Sequence, residues 1–381
     1  MDGLIAAFRQ KEILDDEIAY LARRLSESGE MLTHGVASAA DVPSTGGPSS
    51  LSTLLCPLQL VRGGAIVPKL GVPGRPAGGI DVLGCIPGFK TSLTREEVVR
   101  CLTACGYAHF LADDIFVPLD ALLFNYRRKT NAIDIPALAI ASLLAKKVAM
   151  GITRVALDVR VAPFTNFGST WEEARENAAR FIRVARLLHI DATCFLTDAV
   201  APYQRFIGRG ESLVGMYHIL TGGLTSDLEA HFQLCGRMSR ACLSAAEDAS
   251  PADLKIAFAD HLRQQGASWD TFIDKVNDVA SQRHESILAN ADGYLCVDLA
   301  GLRQSLVKYQ DEVKQPDCQF SDSCGLTLLM PWGTAVAKGA PVGKVRSSGN
   351  LTGLVRELRP LIFQSADPPE RRAVEMVTAN G

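Results

Sequence analysis

Two polar residues interrupt an apolar segment at a spacing that could serve a ligand. Ser142 and Lys146 are four positions apart in a run that is otherwise apolar from Ala137 to Ala145. Residues four apart share one face of an α-helix, so the hydroxyl and the ammonium group would point the same way. Two interpretations are open. The lysine extends past a serine that bonds to its own helix, or both side chains hold a polar ligand.

Histidine and cysteine do not form a recognisable metal site. None of the seven histidines stands at metal-ligand spacing from an acidic residue, and the ten cysteines contain no C-x-x-C unit. Most cysteines fall inside apolar stretches, which indicates reduced residues of the core. We therefore expect no metal and no cofactor, and we give no role to His34.

Composition excludes several classes of partner. At 381 residues the chain is long enough for two or three domains. A net charge of −3 creates no field that would attract a nucleic acid. The most apolar segment, residues 133–149, is interrupted by Asp134 and Pro136, and no cationic start followed by an apolar stretch opens the chain. We expect a cytoplasmic protein without a nucleic-acid or membrane partner.

The hydrophobic pattern predicts alternating helices and strands. The apolar residues of 3–28 have the spacing of two short amphipathic helices, and residues 119–148 are also predicted to be helical. Residues 35–53 are rich in Gly, Ser and Pro, which indicates a loop or hinge. One βαβ unit is predicted from a strand at 154–160, a helix at 171–188 and a strand at 192–196.

The flanking segments complete this α/β pattern. From residue 54 to 111 short apolar runs alternate with Gly and Pro clusters, and residues 95–105 read as a helix. Beyond Gly293 a strand at 294–297 and regularly spaced glycines predict a separate α+β tail.

The segment that contains Ser142 and Lys146 resembles one enzyme family. Residues 135–151 contain I-P, A-S-L-L-A-K-K and G in the order of the I-P…A-S-I-L-A-K-K…G signature of thymidine and pyrimidine nucleoside phosphorylases. Upstream, residues 117–127 are similar to that family's A-P-A-D…Y-A-T-R. Phe124 replaces the family's tyrosine, and Arg127 falls on its arginine.

Further short motifs follow in the family's order. They are S-T-G-G at 44–47, G-G at 78–79, I-P-G-F at 86–89, D-V-R at 158–160 and L-T-D at 196–198. A string of motifs in one order is far more specific than any single one. The chain is therefore identified as resembling this family over most of its length.

The resemblance implies a fold of nucleoside phosphorylase type. A small helical domain is predicted at 1–34 and 117–150, beside a larger α/β domain with a mixed sheet at 35–116 and 151–292. A C-terminal α+β, barrel-like part is predicted at 293–381. Substrate would lie between the helical and α/β domains. Family members pair through the helical domain, so a homodimer is implied.

The resemblance also implies a base-binding site. In the family an arginine, a helix serine and a helix lysine hold the edge of the pyrimidine, and these roles fall to Arg127, Ser142 and Lys146. A cation beside the base stabilises the negative charge with which it leaves. Arg127 and Lys146 are thus candidate catalytic residues, and Phe124 is a candidate substrate contact.

The phosphate-binding part departs from the family pattern. Positions where the family carries Lys, His, Ser or Thr are apolar here, namely Val42, Pro43, Leu70, Pro76, Ala77 and Ile80. Loss of one charged hydrogen bond costs about 1.5–3 kcal/mol, so the combined change would weaken a phosphate site by orders of magnitude. Ordinary phosphorolysis is therefore in doubt.

Some polar groups remain on the phosphate side. Ser44, Thr45 and Thr53 keep hydroxyls, and the amides of Gly46 and Gly47 could form an anion nest. These five are the candidate substrate contacts at that end, with inorganic phosphate as a candidate co-substrate.

Three cations and two carboxylates could replace what is missing. Arg62, Lys69 and Arg75 lie on the same segments and are either compensating cations or surface charges. Asp113 and Asp114 occupy a loop that is near the substrate in the family. If Asp113 faces the anomeric carbon, it could activate water or another acceptor; a solvated pair of loop residues is the alternative.

These features lead to one functional hypothesis and three alternatives. The first is a pentosyltransferase that cleaves or transfers the N-glycosidic bond of a pyrimidine nucleoside or nucleotide, with an altered acceptor site. The alternatives are a nucleoside hydrolase, an inactive pyrimidine-binding pseudoenzyme and an unrelated small-molecule transferase on the same scaffold.

Overall fold

A computed structural model describes residues 1–32, 39–74, 79–243 and 249–379. The hinge predicted at 35–53 lies partly outside these residues. Four individual positions discussed above also lie outside them, namely His34, Arg75, Pro76 and Ala77.

The described residues contain fourteen α-helices. They are α1 (Asp2–Gln10), α2 (Asp15–Ser26), α3 (Ser52–Arg62), α4 (Ile80–Leu83), α5 (Arg95–Cys105), α6 (Pro118–Lys129), α7 (Pro136–Ala149), α8 (Trp171–Leu187), α9 (Arg209–Leu220), α10 (Ser226–Arg240), α11 (Pro251–Gln264), α12 (Trp269–Ser281), α13 (Leu299–Tyr309) and α14 (Leu351–Leu358). No helix in these ranges is long and apolar enough to cross a membrane.

Thirteen strands lie within the same described ranges. They are β1 (Ala40–Asp41), β2 (Val67–Gly71), β3 (Tyr107–Leu111), β4 (Arg154–Val161), β5 (Asp191–Asp198), β6 (Phe206–Gly208), β7 (His284–Leu288), β8 (Gly293–Val297), β9 (Cys324–Leu328), β10 (Ala335–Val336), β11 (Pro341–Ser347), β12 (Ile362–Ser365) and β13 (Glu375–Val377).

One mixed sheet forms the centre of the larger part. β1, β4 and β5 are parallel, and β13 pairs with β5 in the antiparallel direction. The parallel pair β2–β3 is joined to β1 by a bridge between Ala39 and Ile66, where the Ala40 amide donates to the Ile66 carbonyl at 3.0 Å. The strand order is thus β3-β2-β1-β4-β5-β13, and the mixed α/β class predicted from the sequence is confirmed.

Helix α8 illustrates how local sequence sets these elements. Thr170 caps it by accepting a hydrogen bond from the Glu173 amide at 3.2 Å, and the Glu173 carboxylate accepts one from the Thr170 amide. Buried positions at Ala174, Ala178 and Phe181 recur at helical spacing and face the sheet. The predicted βαβ unit is observed as β4, α8 and β5.

The helices around Ser142 and Lys146 share a hydrophobic core with this sheet. Ile18 of α2 and Leu144 of α7 share one hydrophobic cluster with Leu157 of β4 and Phe181 of α8. Helix α7 is buried on nearly every side, which explains why its sequence is apolar almost throughout.

The C-terminal residues have a hydrophobic cluster of their own, which includes Ile287, Leu295 and Leu326. Two antiparallel sheets surround it, in the orders β6-β9-β11-β7 and β10-β8-β12. Strands β6 and β7 precede residue 293, so chain from both sides of the predicted boundary contributes to this unit.

Candidate functional site

A cleft opens where two parallel strands end. The S-T-G-G loop at 44–47 follows β1, and residues 72–74 follow β2. Because β1 and β2 run in the same direction, both segments leave the sheet at one edge. Phe124 of α6 and Lys146 of α7 border the same edge, so matched motifs from distant parts of the chain meet there.

Two cavities lie side by side along these segments. We call one the lysine cavity, and its wall includes Asp41, Ser44, Thr53, Lys69, Lys146 and Lys147. We call the other the arginine cavity, and its wall includes Thr45, Gly46, Gly47, Gly74, Phe124, Arg128, Phe164, Asn166 and Arg303.

The S-T-G-G loop is held from behind by the D-V-R motif. The Thr45 amide donates to the Asp158 carbonyl, and the Arg160 amide donates to the Thr45 hydroxyl, both at 3.0 Å. The Arg160 guanidinium donates to the Gly47 carbonyl at 3.1 Å. These bonds fix the loop to β4.

The Asp158 carboxylate connects this loop to two other segments. It accepts hydrogen bonds from Ser52 at 3.0 Å, from Thr197 at 2.9 Å and from Arg160 at 3.0 Å. Thr197 belongs to the L-T-D motif and also bonds to Tyr203 at 2.6 Å. Three of the matched motifs therefore form one buried network behind the cleft.

Two hydroxyls in the lysine cavity have no hydrogen-bond partner in the described part of the chain. The side-chain oxygens of Ser44 and Thr53 are both buried and unpaired. Buried hydroxyls normally have partners, so an unpaired pair on a cavity wall indicates a position for a polar ligand. The amides of Gly46 and Gly47 likewise donate to no described residue.

A buried ion triad forms the floor of this cavity. Lys69 donates to Asp41 at 2.5 Å and to the Val42 carbonyl at 3.0 Å, and Lys147 forms an ion pair with the other oxygen of Asp41. Burial alone would raise the pKa of Asp41, but Lys147 and Lys69 outweigh it and hold that pKa below its usual range. The triad carries one excess positive charge.

The three cations considered as replacements thus have different locations. Lys69 is only 4% exposed and lies on the cavity wall, so it is not a surface charge. Arg62 is exposed and pairs with Asp253 at 2.9 Å on the surface. Arg75 lies outside the described residues.

Lys146 and Ser142 lie together on one face of α7. The Lys146 ammonium donates to the Ser142 hydroxyl at 3.0 Å and to the Ser142 carbonyl at 2.7 Å, and it forms an ion pair with Asp120 of α6. All three residues are buried. The lysine therefore reaches the cavity with its charge already balanced by a carboxylate.

Arg127 lies beneath the cleft wall. Its guanidinium donates to the carbonyls of Ala132 at 3.0 Å and Ile133 at 2.8 Å, which holds the turn between α6 and α7. Burial lowers the pKa of Arg127 to about 10, which still leaves it charged at neutral pH. No hydrogen bond joins it to Ser142 or Lys146 within the described ranges.

The carboxylate of Asp113 stabilises a turn of the backbone. It accepts hydrogen bonds from the amides of Ile115 at 3.0 Å and Phe116 at 3.2 Å. Asp113 is half-buried and Asp114 is exposed, and neither is on the wall of the two cavities. The described residues contain no cluster of three side chains that could hold a metal ion.

Several residues of the cleft escaped prediction from sequence. Asp41, Asp120 and Lys147 lie inside or beside the matched motifs. The motifs therefore drew attention to these positions, but they did not reveal that these residues form buried ion pairs. Arg303 comes from α13 of the C-terminal part, and only the folded chain brings it to the cleft.

Comparison with known proteins identifies relatives of the chain. No protein-family model matches the chain. Rat thymidine phosphorylase is 29% identical over 211 residues, which is 54% of this chain and 44% of that protein. Mouse thymidine phosphorylase is 26% identical over 376 residues, which is 91% of this chain and 79% of that protein.

An archaeal protein is similar over a shorter length. AMP phosphorylase of Methanococcus maripaludis strain C6 is 30% identical over 197 residues, or 51% of this chain and 38% of that protein. The rat and archaeal alignments thus cover less than half of those relatives, whereas the mouse alignment covers most of both proteins. The chain is related to the thymidine/pyrimidine nucleoside phosphorylase family.

Proposed function

We propose that the chain is a pentosyltransferase-like enzyme that cleaves the N-glycosidic bond of a pyrimidine nucleoside or nucleotide. The observation that carries the proposal is the pair of unpaired hydroxyls, Ser44 and Thr53, on the same cavity wall as Lys146. A ligand with several acceptor oxygens would satisfy both hydroxyls at once.

The reaction follows from the charges that line the cleft. The bond between C1′ of the sugar and the base nitrogen breaks, and its electron pair leaves with the base. Lys146 is placed to stabilise that charge, with Ser142 orienting its ammonium group. An oxygen of the acceptor bonds to C1′ from the side of Ser44 and Thr53.

Inorganic phosphate is the acceptor that this wall favours. The family's phosphate-binding lysine is Val42 here, but Lys69 places its ammonium group 3.0 Å from the Val42 carbonyl. The ammonium group of a lysine on β2 thus lies near the position at which the family carries its phosphate-binding lysine. The excess positive charge of the Asp41 triad favours an anion over water.

The proposal is tested by measuring release of free base. Uridine, thymidine and cytidine and their 5′-monophosphates are incubated with the protein, with and without phosphate. We expect phosphate-dependent release, and at least a tenfold loss in the Ser44→Ala/Thr53→Ala variant, because two hydroxyl contacts are removed. Its thermal stability should not fall, because neither hydroxyl has a partner in the fold.

Lys146 requires a variant that keeps the fold intact. Lys146→Met combined with Asp120→Asn removes both charges of the buried pair, and we expect it to fold without releasing base. Lys129→Ala is the control, because Lys129 is exposed on α6. Absence of base release from every substrate, with or without phosphate, would overturn the proposal.

A pyrimidine-binding protein without turnover is the second candidate. It is favoured by the Lys146–Asp120 pair, which leaves the lysine with less free charge for a leaving base. Under this hypothesis a pyrimidine nucleoside raises the melting temperature of the wild type but not of the Lys146→Met/Asp120→Asn variant, and no base appears.

A further inference from the structure

The arginine cavity contains two guanidinium groups without a carboxylate partner. Arg303 of α13 forms no hydrogen bond or ion pair with any described residue. Arg128 of α6 donates only to the side-chain oxygen of Asn125, at 3.3 Å. Exposed arginines are often unpaired, but two that converge on one concave wall together create a site for an anion.

The backbone makes room for these cations. A Cβ atom at Gly74 would lie 2.9 Å from a terminal nitrogen of Arg128, and the φ angle of Gly74 is +104°. Glycine at this position therefore lets the guanidinium lie against the segment after β2. Arg303 is exposed to solvent, and the protein around it still lowers its pKa through desolvation, with no carboxylate to oppose the shift.

Other groups on the wall of the arginine cavity indicate which further chemical groups the ligand carries. The free amides of Gly46 and Gly47 are further donors for an anion. The side-chain oxygen of Asn166 is a buried acceptor without a hydrogen bond in the described chain. A hydrogen-bond donor of the ligand, such as a sugar hydroxyl, would satisfy this oxygen. Phe124 and Phe164 add apolar surface to the same wall. The wall thus suits a molecule that carries both an anion and hydroxyls.

We propose that the arginine cavity binds the 5′-phosphate and part of the ribose of a nucleoside monophosphate, so that the substrate is a nucleotide. This inference rests on the proposed function, because it places the glycosidic bond next to the lysine cavity. A phosphate monoester carries a charge of about −1.5 to −2, which two guanidinium groups balance. One of the relatives above is named for AMP, a nucleoside monophosphate.

The two cavities then handle two different anions. Both cavities are lined by residues of the segments 43–47 and 71–74, but each is lined by different residues of those segments. The acceptor would contact Ser44, Thr53 and Lys69, whereas the monoester would contact Arg128 and Arg303. Free inorganic phosphate is the other possible source of an anion in the arginine cavity, so the test must separate it from a nucleotide.

Calorimetric titration tests the inference without turnover. The full chain is titrated with uridine 5′-monophosphate, uridine and inorganic phosphate, and separately with the matching adenosine pair. We expect the nucleotide to bind at least tenfold more tightly than its nucleoside. Arg128→Gln and Arg303→Gln should each weaken nucleotide binding about tenfold to a hundredfold and change nucleoside binding less than twofold.

Arg237→Gln is the matched control, because Arg237 is an exposed arginine on α10, away from the cleft. Equal affinity for nucleotide and nucleoside would overturn the inference, as would equal weakening by Arg237→Gln. Weakened binding of inorganic phosphate in the two cleft variants, without a nucleotide preference, would assign the cavity to free phosphate. Base release from nucleosides alone would overturn this inference and leave the proposed function in place.

Discussion

At the scale of single residues, Asp41 joins the two strands that form the cleft. It is fully buried, follows Ala40 in β1, and binds lysines from β2 and α7. The attraction between a buried carboxylate and two ammonium groups offsets the cost of its desolvation only while both partners remain. Lys69 and Lys147 therefore stay in place because Asp41 is charged.

We predict that Asp41→Asn destabilises the fold in a pH-dependent manner. At pH 7 the loss should be about 3–5 kcal/mol, because two buried lysines lose their counter-charge. The folded pKa of Asp41 lies below its unfolded value, so its stabilisation is present above about pH 4 and declines as the pH falls further. Urea unfolding of both proteins between pH 3 and 8 measures the difference, and a pH-independent difference would contradict the assignment.

At the scale of elements, the cleft loop depends on a strand beneath it. Strand β4 carries Asp158 and Arg160. Asp158 contacts the S-T-G-G loop through its backbone, and Arg160 contacts it through both its backbone and its guanidinium. Arg160 also lies over the ring of Tyr203, 5.6 Å from its centroid. The fork of the guanidinium bonds to Asp158, Ser52 and Gly47 together, which a lysine cannot do.

Arg160→Lys should therefore loosen the loop even though charge is kept. We expect a loss of about 1.5–3 kcal/mol in unfolding free energy, since charged hydrogen bonds are lost. Amide hydrogen exchange should accelerate at Thr45, whose amide bonds to β4, and not in α13. Arg183→Lys, on the exposed side of α8, is the control. Unchanged exchange at Thr45 would count against this role.

At the scale of the whole molecule, a second buried ion cluster joins the C-terminal sheet to the rest. Arg346 of β11 pairs with Glu211 of α9 at 2.7 Å and with Asp322 at 2.6 Å. Lys275 of α12 reaches Asp322 at 2.9 Å. Burial alone would raise the pKa of Asp322, but Arg346 and Lys275 lower it to about 2.

Gly325→Ala should disrupt this connection. A Cβ atom at Gly325 would overlap with the Glu211 carboxylate, so Glu211 would have to leave Arg346. Breaking a buried pair costs about 3–5 kcal/mol, and we expect a matching fall in the urea midpoint. Gly3→Ala is the control, because no atom lies within 4 Å of a Cβ there. An unchanged midpoint in Gly325→Ala would refute the prediction.

Local pattern and motif order were enough to predict the α/β class, the helices at 95–105 and 171–188, and the family relationship. These depend on periodicity and on short segments, which a sequence displays directly. The position of Ser142 beside Lys146 also follows from helical spacing alone. The roles of Arg127 and Asp113 do not, because spacing cannot tell whether a side chain bonds to a ligand or to its own backbone.

Only the tertiary structure decided what surrounds the cleft. Asp41 and Lys69 are on different strands, and Asp120 and Lys146 are on different helices, so each charge meets its partner through packing. Arg303 reaches the arginine cavity from α13, more than a hundred residues away from every matched motif. The sequence by itself determined which helix carries the hydroxyl and the ammonium group. Packing then determined which charges are balanced within the protein and which, at Arg128 and Arg303, have no carboxylate partner among the described residues.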